Sequence, residues 1–277
     1  MYIVKNNCNL IDFLKQTNLS KNKIKTYIKL GFITVNEEKI SKLPYYLKPG
    51  DKVNINKNEQ IKSNLKIIYE DKNYLIIDKE PGLLTISTSD NNKKFEDTLY
   101  KRVRHYLNQK KEYAFIVNRI DKETSGIVIF AKNQELKDSL QNNWNNIVKK
   151  RGYIAIVSGK ITKDGRIDNY LYEDKLTFSH STNHGGKRAI TNYKVIKNND
   201  KYTMLDINIE TGRKNQIRVH MTEMNHPIVG DKKYYSKDNC LKRLALHHYE
   251  IDLIDPITNK ILKFKSNVPN IFYSLFN

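Results

Sequence analysis

Short apolar runs broken by turn residues recur along the whole chain, and their period shifts between that of a helix and that of a strand. Near the N-terminus, Leu10, Ile11, Phe13 and Leu14 fall at helical spacing and predict a first amphipathic helix. Ser20 then stands where an N-cap belongs, ahead of KNKIKTYIKLG, with Ile24, Tyr27 and Ile28 on one face and Gly31 as the expected stop. FITVNEEKI alternates like a half-buried strand with a turn at Asn36–Glu38, and LKPGDKVNI supplies a Pro-Gly turn and another strand. Around residues 56–64, NKNEQIKSN is polar and aperiodic, as a linker is.

From Leu65 onward LKIIYED, YLIIDKEPG, AFIVNRI, GIVIFAK, YIAIVSGKI, AITNYKVI, YTMLDINIE and RLALHHYEIDLI read as strands. Helical periodicity appears in FEDTLYKRVRHYLNQ and QELKDSLQNNWNNIV. Strands outnumber helices and many are joined by short turns. The pattern predicts an α+β domain built on a large mixed, mostly antiparallel sheet flanked by helices, preceded by a small α/β module. No internal repeat of fixed period is present.

Charge adds a partner to this picture. The 277 residues carry 49 Lys+Arg against 30 Asp+Glu, a formal +19. Self-repulsion on that scale asks for a polyanion, and nucleic acid leads. A lysine- and asparagine-heavy codon bias is the bland alternative. Residues 1–60 hold 11 lysines against 5 acids, leaving +13 on the remainder, so both parts are basic and an RNA footprint is expected across the linker. No run approaches the roughly 18 apolar residues of a spanning helix, and MYIVKNNCNL has no signal-peptide architecture, so no membrane and a soluble, cytoplasmic protein are expected. Cys8 and Cys240 belong to no Cys/His cluster, which argues against disulfides and a structural metal. Phosphate-loop, dinucleotide, zinc-protease and nucleophile-elbow motifs are all missing.

The chemistry concentrates in VNRIDKETSGIVIFAK, residues 117–132. An apolar strand runs into a loop holding Arg119, Asp121, Lys122, Glu123, Thr124 and Ser125, and a second apolar strand leaves after Gly126. An isolated Asp there would be an ordinary turn residue. This loop, however, resembles the H-R-L-D-x-x-T-S-G signature of the RluA-type pseudouridine synthases, with Asn118 for the His and Ile120 for the Leu. The family's other segments follow in order. YEDKNYLIIDKEPGLLTI resembles its opening hairpin, with Glu80 where Pro is common. KRGYIAIVSG resembles its K-x-Y strand, with Arg151 and Tyr153. ETGRKNQIRVHMTEMNHPIVGD resembles T-G-R-x-H-Q-I-R-V-H, and RLALHHYEIDLIDPIT its close. The likeness spans nearly all of residues 65–260. Most of residues 8–55 resemble an S4-type RNA-binding domain, whose basic second helix lies along RNA; here it carries Lys21, Lys23, Lys25 and Lys29.

The resemblance implies an S4-like domain at 1–58, a linker at 59–65 and a pseudouridine synthase domain at 66–277. It implies isomerisation of uridine, which is redox-neutral and needs no cofactor. It makes Asp121 the oxygen nucleophile or base, Arg218 its ion-pair partner, and Tyr153 the ring that stacks on uracil and removes the hydrogen at carbon 5. Whether Asp121 attacks the sugar, attacks the base or abstracts a sugar proton stays open. Acting on a stacked uridine requires flipping it out; by resemblance Arg119 fills the gap. Lys122, Arg213, Lys214 and His220 are expected phosphate or structural contacts. Asn118 and Asn215, both standing where the family has His, are expected to touch each other or a shared phosphate. A buried Asp121 would tend to protonate, and Arg218 would oppose this.

A non-catalytic RNA-binding or ribosome-assembly factor is the alternative from another class, weakened because Asp121, Tyr153 and Arg218 are all retained. A glycoside-hydrolysing enzyme would need a second carboxylate, for which only Glu123 is near. Ribosomal RNA is the expected substrate, transfer RNA the runner-up, and a monomer the expected state.

Overall fold

The structure is a computed structural model that describes residues 1–17, 19–29, 32–40, 43–55, 64–87, 97–174, 179–182, 185–234, 236 and 238–276. These divide into two units, one drawn from residues 1–63 and 87–97, the other from 64–86 and 98–277.

In the first unit, strand β1 (Tyr2–Ile3) and strand β2 (Cys8–Asn9) precede helix α1 (Leu10–Lys15). Asn9 caps α1 by accepting from the Ile11 amide at 2.9 Å. Helix α2 (Lys21–Lys29) follows, with Ser20 Oγ 3.3 Å from the Lys23 amide, as its N-cap position requires. Strands β3 (Ile33–Val35), β4 (Glu38–Lys39), β5 (Tyr46–Leu47) and β6 (Lys52–Ile55) complete the unit. Its four-stranded sheet runs β1-β6-β3-β4, and β2 pairs β5. Leu10, Leu14, Ile24, Ile28 and Ile33 form one buried cluster, so the helical faces read from spacing are the faces that pack. Lys21, Lys23 and Lys25 are exposed. Gly31, the side chain of Lys29 and residues 56–63 of the expected linker lie outside the described residues.

The second unit opens with β7 (Ile67–Glu70), β8 (Tyr74–Lys79), α3 (Leu99–Gln109), β9 (Phe115–Ile116), β10 (Ser125–Ala131), α4 (Gln134–Asn142) and α5 (Trp144–Ile147). It continues through β11 (Val148–Ser158), β12 (Gly165–Glu173), β13 (Ser179–Thr182), β14 (Lys187–Asn198), β15 (Tyr202–Ile209), α6 (Gln216–Glu223), β16 (Leu246–Ile254) and β17 (Ile261–Lys265). Eleven strands share one sheet in the order β13-β12-β14-β15-β11-β16-β10-β8-β7, with β17 on β16 and β9 on β10. Among the described strands only the β10–β16 pairing is parallel, so the sheet is mixed and mostly antiparallel, as expected. No helix among the described residues is long and apolar enough to cross a membrane.

Two features of this sheet set up the site. β10 is buried along its whole length between β8 and β16, which fixes where the loop before it emerges. Gly126 sits at φ +112° at that crossing, where a Cβ would lie 2.1 Å from the His248 carbonyl oxygen; no other residue fits. The run AFIVNRI is a strand for only two residues, and β10 then holds the chain through the Val117 amide, which donates to Ile129 O at 3.0 Å, before the loop begins.

Candidate active site

The Asp121 loop is held by its own carbonyls. Thr85 Oγ1 donates to Ile120 O at 2.8 Å, and Lys122 O accepts from Gly82 N and Lys79 Nζ, both at 2.9 Å. The peptide units on either side of Asp121 are thus tied to the 79–85 segment. Lys79 is almost fully buried and also donates to Glu80 O and Leu83 O. Burial pulls its ammonium down to about 7, against the nearby Glu123, Asp121 and Glu80 carboxylates. Asn118 Oδ1 accepts from the Ile129 amide at 2.7 Å, stapling the loop's start onto β10.

Asp121 meets Arg218 from α6, with Nη1 3.4 Å from Oδ2. Two expectations change here. The Asp121 side chain is 31% exposed, so it is not a buried carboxylate. Nor is Asp121 the main partner of Arg218: Asp231, wholly buried, takes Nε and Nη2 in a bidentate pair at 2.7 Å each. Arg218 is anchored from behind by Asp231 and offers its remaining edge forward. Burial alone would lower the guanidinium, but the Asp231 bond and the charges of Asp231 and Asp121 outweigh it and raise it above its ordinary value.

Asp231 also accepts from the amides of Lys233 and Tyr234 at 3.0 and 3.1 Å, and the Tyr234 ring lies 5.2 Å from the Arg218 guanidinium. Gly230, at φ +77°, lets this turn press against the Arg243 carbonyl; a Cβ would come within 2.0 Å of it. The one sequence signal for Asp231 is a Gly-Asp pair closing an apolar run, and it lies inside a longer family segment that does not single it out.

Asn215 precedes α6 in the left-handed region at φ 55° and does not cap its own helix. Its Oδ1 accepts from Arg218 Nη1 at 2.9 Å, which leaves Nδ2 buried without an acceptor among the described residues. Arginine can only donate, so this orientation of the amide is fixed. Asn118 and Asn215 therefore serve different protein partners, one a strand amide and the other Arg218, and no hydrogen bond joins them among the described residues.

Tyr153 on β11 is buried, and its ring stacks on His248 with centroids 4.5 Å apart and planes 15° from parallel. Burial first, and the Asp121 charge in addition, push its phenol above the ordinary value. His248 donates through Nδ1 to Ile127 O at 2.9 Å and is held neutral by burial, its pKa lowered to about 4.

The other candidates spread out. Arg119 and Lys122 are exposed on the loop. Arg213 is exposed and donates from Nε to Arg188 O at 2.8 Å, and Lys214 pairs with Glu173. Arg151 is buried and donates to Glu210 O. His220 is no phosphate contact: it is fully buried between Thr191 Oγ1 and Asn169 Oδ1, and burial lowers it to about 4.

Comparison with known proteins gives the family. The model of the RNA pseudouridylate synthase family matches residues 73–223. An uncharacterized RNA pseudouridine synthase of Bacillus subtilis, YhcT, is 31% identical over 90% of this chain and 86% of its own. The ribosomal large subunit pseudouridine synthase D of Borreliella burgdorferi is 34% identical over 75% of this chain and 66% of its own. Among solved structures, human RNA pseudouridylate synthase domain containing 1 shares the fold at a TM-score of 0.64 and 19% identity, covering 79% of this chain and 89% of that one. The Asp121 loop, the Tyr153 strand and the Arg218 helix all lie within the matched segment, and the chain belongs to the RluA-type RNA pseudouridine synthases.

Proposed function

We propose that this synthase isomerises uridines in folded ribosomal RNA, with Asp121 as the reacting carboxylate and Arg218, Tyr153 and Asn215 around it. The observation that carries the reading is Asp121 facing an arginine whose other edge Asp231 already holds, so that the cation stays in place when Asp121 engages substrate. In the reaction the bond from the anomeric carbon to N1 breaks, the uracil turns, and a bond from the same carbon to C5 forms. C5 gives up its proton and N1 gains one, so atoms and electrons balance without a cofactor.

Tyr153 stacks on the uracil with the ring face turned away from His248. Its raised phenol stays protonated at neutral pH, so as a base at C5 it must pass on its own proton as it accepts one. Asn215 Nδ2, the buried donor without an acceptor, bonds the substrate; an unmet buried donor costs about 1–3 kcal/mol, which a bound carbonyl or phosphate would recover. Arg119 fills the place of the flipped nucleotide, and Lys122, Arg213 and Lys214 meet phosphates. Residues 1–58 act as an S4-like RNA-binding domain through Lys21, Lys23, Lys25 and Lys29, with residues 66–277 as the catalytic domain. The protein works as a cytoplasmic monomer.

Support for ribosomal RNA comes from relatives such as the Borreliella burgdorferi enzyme, whose name specifies the large ribosomal subunit. Carbodiimide mapping of pseudouridines in total RNA, with and without the gene, tests it. Sites lost from ribosomal RNA uphold the reading; sites lost only from transfer RNA replace the substrate, and no lost site defeats it.

A further inference from the structure

Beside the Asp121 loop, and sharing none of the residues Asp121, Tyr153 or Arg218, the second unit holds a cavity of about 300 Å³. Arg243, Lys66 and Lys79 contribute charge to its lining, and Ile77, Leu83 and Leu99 contribute apolar wall. Its acids are already engaged: Asp78 pairs with Lys66, and Glu80 with Arg102 at 2.7 Å. The positive charge left over is chiefly that of Arg243, since Lys79, tied to three backbone carbonyls, is drawn down to about 7 by burial.

Arg243 is half-buried and has no carboxylate within ion-pair distance among the described residues. Its Nη2 donates to Ser125 Oγ at 2.6 Å and its Nε to Leu244 O at 3.1 Å, which commits two of its five N–H groups. Ser125 Oγ also shares a hydrogen bond with His247 Nδ1, 2.8 Å away. His247 Nε2 lies 3.1 Å from Ser266 Oγ, and burial lowers this imidazole to about 4, so the string is neutral apart from the arginine. The Phe272 ring, 5.1 Å from the guanidinium, is the other stabilising contact. A half-buried guanidinium with no carboxylate in direct contact, and only the more distant charges of Asp78 and Glu123 acting on it, is poised for an anion on its remaining N–H groups.

We propose that this cavity binds a nucleotide unit, its phosphate on Arg243 with Lys66 at the rim and its nucleoside against the Ile77, Leu83 and Leu99 wall. The volume is at the lower end for small-ligand sites and larger than a bare phosphate needs. The nucleotide can belong to an RNA strand or be free, and the test separates the two. Adenosine monophosphate and a twelve-residue oligoadenylate, neither carrying uridine, are titrated calorimetrically into the full chain and into Arg243→Gln, both checked for folding by circular dichroism.

The site predicts that Arg243→Gln weakens adenosine monophosphate at least tenfold. Weakening of the oligoadenylate as well, with a salt slope shallower by about 0.7, makes the natural occupant an RNA nucleotide. An unchanged oligoadenylate affinity makes it a free nucleotide. If neither ligand responds, the proposal is overturned. The monophosphate arm does not depend on the RNA-modifying role, so the two can fail separately. Should Arg243→Gln not fold, Lys66→Glu replaces it, at a side chain 67% exposed: a threefold or greater loss of adenosine monophosphate binding upholds the site, and unchanged binding overturns it.

Discussion

Asp231→Asn probes the arrangement behind the active site with little change in volume. The wild-type carboxylate is wholly buried and accepts four hydrogen bonds: Arg218 Nε and Nη2 at 2.7 Å, and the amides of Lys233 and Tyr234 at 3.0 and 3.1 Å. Asparagine keeps one acceptor oxygen, turns an NH2 group toward a donor, and removes the negative charge from a 7% exposed arginine. Uncompensating a buried charge from one side costs about 3–5 kcal/mol. The Asn215 oxygen and the half-exposed Asp121 remain nearby to take part of the load, so about 3 kcal/mol is expected. That corresponds to a melting point lower by about 6–12 °C for a unit of this size.

Arg218 also loses the clamp that aims it at Asp121, and a misplacement of about 1 Å can cost a hundredfold in rate. Turnover should fall about ten- to a hundredfold while RNA affinity stays within about threefold. Urea denaturation gives the first quantity, and tritium release from RNA labelled at uridine C5 gives the second. A variant as stable and as fast as the wild type would refute the claim that Asp231 holds Arg218.

Three further outcomes follow from the same contacts. Because burial raises the Tyr153 phenol above its ordinary value of 10.0, the turnover of the enzyme should show no alkaline limb from its ionisation below pH 10 in a pH–rate profile. His220 and His248 are held near 4, below the ordinary 6.5; between these values the unfolded chain binds protons that the folded one does not, so stability is lost as pH falls from 6.5 toward 4. The loss is of order 3 kcal/mol per histidine at most, and urea melts at pH 7 and pH 4.5 measure it, with His248→Phe flattening the dependence. Replacing Lys21, Lys23 and Lys25 by Gln should make the salt dependence of RNA binding shallower by about 0.7–0.9 for each phosphate no longer neutralised; filter binding from 50 to 300 mM salt reads it, and an unchanged slope makes these lysines a solvated face.

Strands buried on both faces announce themselves as continuous apolar runs, which is why β8, β10, β11 and β16 are legible from sequence alone. β12 and β13 are not. GRIDNYLYE carries charged and aromatic residues outward along most of its length, with only Leu171 fully buried, so its alternation is diluted below what a run of apolar residues shows. α6 escapes for the opposite reason: Gln216, Arg218 and His220 are buried beside Ile217, Val219 and Met221, so no polar face marks a helical period. That helix is buried all round because its polar groups are spent on the site and its supports.

Asp121, Tyr153 and Arg218 are visible through their motif, and the structure brings Asp121 to Arg218. Asp231, Lys79 and Thr85 are not, because each acts at a distance in sequence, on a side chain or a carbonyl that no local pattern points to. The two asparagines share a departure from the family pattern, yet each answers to its own neighbour.

The central claim is that Asp121 is the reacting carboxylate, and it is most directly tested by tritium release from uridine C5 with Asp121→Asn, alongside RNA binding by the same protein. The variant keeps the loop's carbonyl ties to Thr85, Gly82 and Lys79, which do not involve the side chain. Release should vanish while affinity for RNA stays within about threefold of wild type, since the phosphate-dominated part of binding is untouched. Tritium release at the wild-type rate from Asp121→Asn would contradict the assignment outright.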